Sequence, residues 1–361
     1  MNACTRLHAI GQSLWLDNIS RELLNSGTLQ RYRDENSVTG LTSNPSIFEQ
    51  AIGHGSTYDA AIRQKTAEGK SGAGLFFELA LEDLTRAAAI FLPVHAASGG
   101  LDGWVSLEIS PLLADDAAAT LAEAKRLHAL AGCPNLLIKI PGTTAGIKAI
   151  EEAIFAGVPV NVTLLFSREQ YIAAADAYWR GIGRRIAAGL APKVVSVASV
   201  FISRWDAAIA GKVPPELGNR LGVAIARRIY KTYHQRQTST AWKKLADAGA
   251  LPQRLLWAST GTKDPQIRDT FYIEALAAAQ SINTLPEKTL LAFAAHGEVA
   301  GVMPEDGGDA ENLLADFALA GIDIAALAIR LQRDGAQAFT KAWTDLLAAI
   351  AAKSLTGVTA S

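Results

Sequence analysis

The chain has 361 residues, of which 49% are hydrophobic and 19% charged, and its formal net charge is −1. A chain of this length can bury roughly three-quarters of its unfolded surface as one large domain. The near-zero net charge argues against nucleic acid or an acidic membrane surface as the main partner. The chain has two cysteines, and its sequence shows neither a signal-peptide core nor a run of about 18 apolar residues. We therefore expect a cytoplasmic protein.

Taken in chain order, eight segments have the length and composition of β-strands, and helical patterns separate them. The predicted strands are 13–19, 38–46, 104–110, 135–140, 158–166, 193–206, 254–264 and 281–286. The predicted helices between them are 20–34, 114–130, 145–155, 167–189, 216–234 and 238–248.

The order of these elements predicts the fold. Strands that alternate with helices form parallel sheets, and eight of them over this length fit a closed (β/α)8 barrel, a TIM barrel, better than an open doubly wound sheet. We expect one domain over 1–361, with a helical insertion at 46–93 after the second strand. Residues 309–353 show the pattern of two closing helices, and 355–361 should be frayed.

Lys139 lies inside the fourth predicted strand, 135–140. Side chains alternate across a strand, so Leu137 and Lys139 share one face while Ile138 and Ile140 share the other. Burial disfavours the charged form of an amine, and a neutral lysine can condense with a ketone or aldehyde to an iminium. The alternative is a lysine at the strand end that reaches solvent and pairs with a carboxylate.

Other polar side chains recur near the C-terminal ends of separate predicted strands, each opposite an aliphatic stripe. The aliphatic stripe of a barrel strand faces the covering helices, so the polar groups should converge in the barrel mouth, where barrel enzymes place their catalytic groups. A structural hydrogen-bond network could account for any single member, but their convergence favours an active site. The converging residues are Asp17, Asn44, Glu108, Lys139, Asn161, Thr163 and Ser199.

Six segments between about Gly11 and Pro286 resemble the transaldolase family, in particular its longer bacterial members. They are SLWLDNIS, TGLTSNPSIF, VSLEIS, LLIKIPGTTAGIKAI, VPVNVTLLFS and SVFISRWD. The resemblance implies transfer of a dihydroxyacetone unit from a ketose phosphate (fructose 6-phosphate or sedoheptulose 7-phosphate) to an aldose phosphate (glyceraldehyde 3-phosphate or erythrose 4-phosphate). It also implies the pentose phosphate pathway, a lysine Schiff base and no cofactor.

The resemblance further implies a role for each matching residue. Lys139 would form the carbinolamine and then the iminium with the donor ketose. Asp17 would remove the C4 hydroxyl proton as the C3–C4 bond breaks, and Glu108 and Thr163 would hold the water that shuttles protons during dehydration. The remaining matches would bind the three-carbon fragment or shape its pocket: Thr42, Asn44, Asn161, Ser199 and Phe201.

The phosphate site follows the family pattern only in part. Arg204 matches a phosphate-binding arginine and lies at the C-terminal end of the sixth predicted strand segment, 193–206. Many shorter members have a second arginine two residues after the serine of the seventh strand, where this chain has Gly261. Lys263 is the nearest cation and could replace it, with Ser259 as a hydroxyl donor. Alternatively, Lys263 is a solvated loop residue.

Several other interpretations stay open or are set aside. The run GTTAGIK, 142–148, lacks the spacing of a phosphate-binding P-loop, so its glycines are expected to form a strand-to-helix turn. The histidines are scattered without ligand spacing, which predicts no metal site. A lysine-dependent aldolase that cleaves a sugar phosphate, and a catalytically silent barrel that senses sugar phosphates or serves in an assembly, are the alternatives. We expect sugar phosphates as the partners and either a monomer or a homodimer.

Overall fold

A computed structural model describes residues 2–356 of the chain. Its eight parallel strands pair in chain order, and the first pairs with the last, so they form a closed barrel. The predicted (β/α)8 fold is therefore confirmed. The strands are β1 (Ser13–Leu16), β2 (Val38–Thr42), β3 (Val105–Glu108), β4 (Leu136–Pro141), β5 (Val160–Leu165), β6 (Ser196–Phe201), β7 (Arg254–Ala258) and β8 (Ser281–Leu285).

Helices follow the strands, and further helices lie at both ends of the chain and after β2. Within residues 2–356 they are α1 (Ala3–Ala9), α2 (Arg21–Asn25), α3 (Thr28–Asn36), α4 (Pro45–Gly53), α5 (Asp59–Ala67), α6 (Gly72–Ala97), α7 (Ala117–Ala131), α8 (Thr144–Ala156), α9 (Arg168–Ala187), α10 (Ser203–Ile209), α11 (Leu221–Gln237), α12 (Thr240–Asp247), α13 (Phe271–Ala275), α14 (Glu287–His296), α15 (Ala310–Leu319) and α16 (Ile324–Thr356). Two short 3-10 helices are Pro111–Leu113 and Pro215–Leu217.

The structure corrects several predicted boundaries. The predicted helix 20–34 is two helices, because Gly27 takes a left-handed conformation with φ 71° between them. The predicted strand 193–206 ends at Phe201, and helix α10 then carries Arg204. Helices α1, α13 and α14 lie outside the segments predicted from the sequence. Fraying was predicted for 355–361. Residues 355 and 356 belong to α16, and 357–361 lie outside the described residues.

All strands except β4 are shorter than predicted, mainly because residues at their C-terminal ends leave the sheet to begin helices. Asn44 shows how this happens: its side-chain oxygen accepts a hydrogen bond from the Ile47 backbone amide at 3.1 Å and caps α4. Each such exit turns the chain at the barrel mouth. Polar residues at these exits therefore lie at the carboxyl ends of the strands, where the parity argument expected them.

The opposite end of the barrel is closed by a buried polar cluster. The carboxylate of Asp102 accepts hydrogen bonds from the Ser13 hydroxyl and from the Trp15 indole, the latter at 2.8 Å. Gly40 leaves space for this indole, since a Cβ there would lie 2.8 Å from Trp15 Nε1 and 2.5 Å from the Trp104 carbonyl oxygen. The interior is therefore filled at this end, and polar groups at the other end surround a cavity.

The helical insertion and the C-terminal helix meet beside the mouth. Helices α4 to α6 form the insertion, and α16 packs against all three of them. The Trp343 ring of α16 contacts the rings of Phe76 and Phe77 on α6, with centroid distances of 5.1 and 5.5 Å. Aromatic contacts of this kind stabilise the packing beyond the area they bury. The insertion therefore helps to hold α16 in place.

No single helix within residues 2–356 is long and apolar enough to cross a membrane. The pair of α15 and α16, bent by 91° between them, passes the same test of length and composition only when the two helices are taken together. Both helices bury apolar side chains inside the protein, among them Phe317 and Leu346.

The turn between β4 and α8 requires glycine at position 146. A Cβ on Gly146 would lie 1.9 Å from the carbonyl oxygen of Pro141, so α8 begins in direct contact with the end of the strand that carries Lys139. This agrees with the expectation that the GTTAGIK glycines form a strand-to-helix turn.

We expect Gly146→Ala to lower the free energy of unfolding by at least about 1–3 kcal/mol, because backbone atoms must move to admit the methyl group. Gly74→Ala is the matched control: it also lies in a helix, but nothing is within 4 Å of the added carbon. The control should gain up to about 1 kcal/mol from helix propensity. Urea unfolding of both variants measures the difference, and equal effects would contradict the close approach at position 146.

Candidate active site

Lys139 points into the barrel and is paired there. In the sheet it lies between Glu108 of β3 and Asn161 of β5, each its direct neighbour in register. Its Nζ lies 3.0 Å from Glu108 Oε2 and donates a hydrogen bond of 3.1 Å to the Ser43 carbonyl oxygen. Lys139 and Glu108 are each only 5% exposed. The lysine thus has the carboxylate partner of the alternative interpretation, but it does not reach bulk solvent.

Asp17 and Glu108 are carboxyl groups held in a poorly solvated site. Burial raises the pKa of Asp17, which the charge of Lys139 and a hydrogen bond from the Thr42 hydroxyl at 2.7 Å partly oppose. Burial also raises the pKa of Glu108, again opposed by Lys139. The Thr42 hydroxyl in turn lies 2.6 Å from that of Thr284 on β8. Both carboxyl groups therefore take up a proton more readily than exposed ones.

A line of hydrogen bonds across three strands orients Asn161. Its Nδ2 donates to the Ser106 hydroxyl at 3.1 Å, and its Oδ1 accepts from the Ser199 hydroxyl at 2.6 Å. The hydroxyl of Thr163, two residues further along β5, is buried without a hydrogen-bond partner among the described residues. A buried, unpartnered hydroxyl beside Lys139 is a candidate position for a bound water or a substrate hydroxyl.

The residues around Lys139 enclose a cavity of about 110 Å³ that opens at the barrel mouth. This exceeds the roughly 30 Å³ that one water occupies in the liquid, so the cavity has room for more than a single water. Within residues 2–356, no three His, Cys, Asp or Glu side chains are grouped so that they could hold a metal ion. The lining residues are Asp17, Thr42, Asn44, Lys139, Thr163, Ser199, Phe201, Arg204, Leu256, Ala258, Ser259, Thr284 and Phe339.

The structure places most of the predicted site residues around this cavity. Glu108 and Asn161 lie behind the lining, where they contact Lys139 and Ser199. Asn44 lines the cavity although its oxygen caps α4, which leaves its amide nitrogen as the group that can donate to a ligand. The strand parity inferred from the sequence thus brought polar groups on or just after six separate strands, β1 to β6, to one place.

Arg204 lies at the edge of the cavity and forms no ion pair with any residue in the described part of the chain. Its guanidinium stacks over the Phe201 ring, with Cζ 4.9 Å from the ring centroid. Burial lowers the pKa of Arg204, and the nearby charge of Glu108 opposes that shift. An arginine so held, with its donors not engaged by a carboxylate, is suited to bind an anionic ligand group.

The structure does not bring Lys263 into the central cavity. Lys263 is exposed and lines a neighbouring cavity with Asn219, Asp264 and Tyr272. The chain leaves β7 through Ser259, which has a positive φ of 55°, and Lys263 in the following loop lines a different cavity from that of Lys139. Ser259 itself does line the central cavity.

Sequence reasoning missed part of the lining. Thr284, Leu256 and Ala258 could have been found, because strand parity places them on the inward faces of β7 and β8. Phe339 could not, since it belongs to a closing helix whose Ala/Leu pattern does not reveal which residue meets the barrel. Strict alternation also fails at Leu164, where β5 has an irregular register and φ is 58°.

The fold and the site together define a (β/α)8-barrel enzyme with a buried, carboxylate-paired lysine in its mouth. The model of the Transaldolase/Fructose-6-phosphate aldolase family matches residues 14–350. The chain belongs to this family.

Curated relatives are similar over nearly the whole chain. A transaldolase from Neisseria meningitidis serogroup A is 41% identical over 96% of this chain and 99% of its own length. A transaldolase from Thiobacillus denitrificans is 41% identical over 97% of this chain and its entire length. One from Renibacterium salmoninarum is 42% identical over 95% of this chain and 94% of its own length.

We expect Asp17→Asn to stabilise the protein at neutral pH. Because burial raises the folded-state pKa of Asp17 above its ordinary value of 3.8, its favourable contribution to stability is complete below that value and is lost as the pH rises through the folded-state pKa. The parent should therefore become less stable than the variant as the pH rises, while the two should be similar in acid. Unfolding free energies across the pH range measure this difference.

Asp264→Asn is a control of opposite sign. Hydrogen bonds from the Gln266 amide and the Asn219 side chain lower the pKa of Asp264, so this variant should be the less stable protein at neutral pH. A difference between parent and Asp17→Asn that does not change with pH would contradict the elevated pKa of Asp17.

Proposed function

We propose that the protein is a transaldolase that transfers a dihydroxyacetone unit through a Schiff base on Lys139. The proposed donors are fructose 6-phosphate and sedoheptulose 7-phosphate, and the proposed acceptors are glyceraldehyde 3-phosphate and erythrose 4-phosphate. The observation that carries the proposal is Lys139 itself, which is buried in the barrel mouth and paired with Glu108 at 3.0 Å. The names of the relatives support the same activity.

In the proposed first step, the neutral amine of Lys139 attacks the C2 carbonyl of the ketose. Glu108 is close enough to accept a proton from the amine, and its raised pKa suits it to hold that proton. The carbinolamine then loses water to give the iminium. We assign this proton shuttle to Glu108 and to a water on the Thr163 hydroxyl, which has no other partner among the described residues.

In the second step, Asp17 takes the proton of the C4 hydroxyl as the C3–C4 bond breaks. The electrons of that bond move into the iminium and give an enamine, while the aldose leaves. The enamine then attacks an acceptor aldehyde, and Asp17 returns its proton to the new hydroxyl. Addition of water to the resulting iminium releases the product ketose and the free amine of Lys139. The Thr42 hydroxyl holds the Asp17 carboxylate at 2.7 Å throughout. Asn44, Asn161 and Ser199 are the groups that we assign to the hydroxyls of the bound fragment.

We assign the substrate phosphate to Arg204, with Ser259 as a hydroxyl donor. The support is that Arg204 lines the cavity and forms no ion pair with a described residue. Lys263 stays a candidate for the second phosphate ligand, but its exposed position beside a different cavity makes its contribution the smaller one.

Two other functions are distinguishable from this one. A simple aldolase would use the same lysine but release dihydroxyacetone, and the family model covers both activities by its name. A silent sugar-phosphate sensor would have no use for the buried pair of Lys139 and Glu108, which costs desolvation energy.

We further propose that the enzyme acts in the cytoplasm on sugar phosphates, as a monomer or homodimer. Its free cysteines, Cys4 and Cys133, are consistent with a reducing compartment.

Borohydride reduction in the presence of fructose 6-phosphate should trap a covalent adduct on Lys139, because reduction fixes the iminium as a stable secondary amine. Peptide mass spectrometry locates the adduct. Lys139→Arg is the matched control and should give none, since arginine keeps the charge without forming the iminium. An adduct at another lysine, or no adduct in the parent, would refute the mechanism.

Borohydride trapping also separates iminium formation on Lys139 from the proton transfer that we assign to Asp17. Asp17→Asn should still form the adduct on Lys139, while turnover falls by about 10²–10⁴-fold because the general base is lost. Near-normal turnover in this variant would show that another group moves the proton.

Arg204→Ala should raise KM for sugar phosphates strongly, because a charge-assisted hydrogen bond contributes about 1.5–3 kcal/mol. Activity with dihydroxyacetone as donor should fall much less, since that donor has no phosphate. Lys263→Ala should give a smaller change in the same direction, because lysine makes no bidentate contact. Initial-rate kinetics with added inorganic phosphate as competitor measure both variants. If Lys263→Ala changes neither KM nor phosphate inhibition, Lys263 is only a loop residue.

A further inference from the structure

The long helix α16 is fastened across the barrel mouth by the side chain of Gln332. Its Nε2 donates hydrogen bonds of 3.0 Å to the Gly142 carbonyl oxygen and 3.0 Å to the Leu164 carbonyl oxygen. These carbonyls lie at the ends of β4 and β5, the strands that carry Lys139 and Thr163. The irregular backbone at Leu164 thus belongs to the attachment of α16.

Three residues of α16 lie on the face turned toward the cavity, at a spacing of three and four residues: Gln332, Gly335 and Phe339. Gly335 lets the helix backbone approach the site closely. A Cβ at this position would lie 3.1 Å from Arg204 Nη1 and 2.9 Å from Leu164 Cδ2. The helix therefore passes directly beside the arginine to which we assign the substrate phosphate.

Phe339 places an aromatic ring between the two cations of the site. The ring centroid lies 5.6 Å from Lys139 Nζ and 6.0 Å from Arg204 Cζ. Phe339 lines the cavity and is 6% exposed. One apolar ring thus lies near both the amine that forms the iminium and the guanidinium at the phosphate end, and it offers no hydrogen bond to water on that side of the cavity.

An apolar ring at this position would affect the fate of the enamine in the proposed reaction. After the C3–C4 bond breaks, the enamine can attack an acceptor aldehyde, or its C3 carbon can take up a proton. Protonation gives an iminium, which adds water and releases dihydroxyacetone and the free amine of Lys139. The water consumed here replaces the one lost when the iminium formed, so release needs no further reactant. Water that reaches the enamine carbon favours release over transfer.

We propose that Phe339 is a positioning residue that shields the enamine on Lys139 from water and so directs the three-carbon fragment to an aldehyde acceptor. This inference rests on the proposed transaldolase function and adds to it a residue of the C-terminal helix, outside the barrel strands. The Phe339 ring encloses the bound fragment on one side and forms no bond with it.

The test compares two rates in Phe339→Ala and Phe339→Leu with fructose 6-phosphate as donor. One is the release of dihydroxyacetone without acceptor, and the other is transfer to erythrose 4-phosphate. In Phe339→Ala the ratio of release to transfer should rise about tenfold or more, because water gains access to the enamine. Phe339→Leu should restore most of the parent ratio, since its side chain is also apolar and nearly as large. If the alanine variant does not fold, Phe339→Val provides the measurement, because its shorter side chain also opens the enclosure and should raise the ratio, though by less than alanine.

Trp343→Leu is the matched control on the same helix. Trp343 is one turn further along α16, is 2% exposed and packs against Phe76 and Phe77, away from the cavity. This variant should lose thermal stability without a change in the ratio. If Trp343→Leu raises the ratio as much as Phe339→Ala does, the effect comes from loosening α16, and the proposal is wrong.

A second readout separates this proposal from the proposed function. The borohydride adduct on Lys139 should form in both Phe339 variants as in the parent. An unchanged ratio in Phe339→Ala, with the adduct present, would overturn the role of Phe339 and leave the transaldolase mechanism standing. Failure of the parent to form the adduct would instead overturn the mechanism on which both depend.

Discussion

The buried pair of Lys139 and Glu108 is the interaction on which the site depends. Bringing two opposite charges out of water costs several kcal/mol, and only close contact and further hydrogen bonds offset that cost. The parallel register of β3 and β4 sets the two residues side by side, and the Ser43 carbonyl accepts one more hydrogen bond from the amine. The pair is therefore held by the barrel backbone, and a shift of one residue in either strand would turn its side chain to the outer face.

Because the barrel is closed, side chains that alternate along each strand meet in one interior site. Every strand sends one face to the helices and the other to the interior, and all eight strands end at the same mouth. The hydrogen bonds from Ser106 through Asn161 to Ser199 then connect three of these strands beneath the lysine. The other end is filled around Trp15 and Asp102, and the polar groups face the cavity at the mouth.

Helix α16 links the barrel to the insertion after β2. Trp343 anchors it on α6, while Gln332 anchors it on the ends of β4 and β5. Between these anchors the helix brings Phe339 over Lys139 and beside Arg204. The contacts that pack α16 onto the insertion also hold Phe339 at the cavity. In our proposal, Phe339 in turn limits how far water reaches a bound fragment.

The sequence by itself determined the eight strands, the barrel and the inward direction of Asp17, Glu108, Lys139, Asn161, Thr163 and Ser199, because alternation along a strand is a local property with a period of two residues. It did not determine where Lys263 lies, since the direction of a loop after its strand depends on packing and on the backbone at Ser259. It also could not place Gln332, Gly335 and Phe339 at the site. The rotation and position of a helix relative to a barrel follow from contacts with residues far away in the chain, here more than 160 positions from Leu164 to Gln332, and only the tertiary structure decides them.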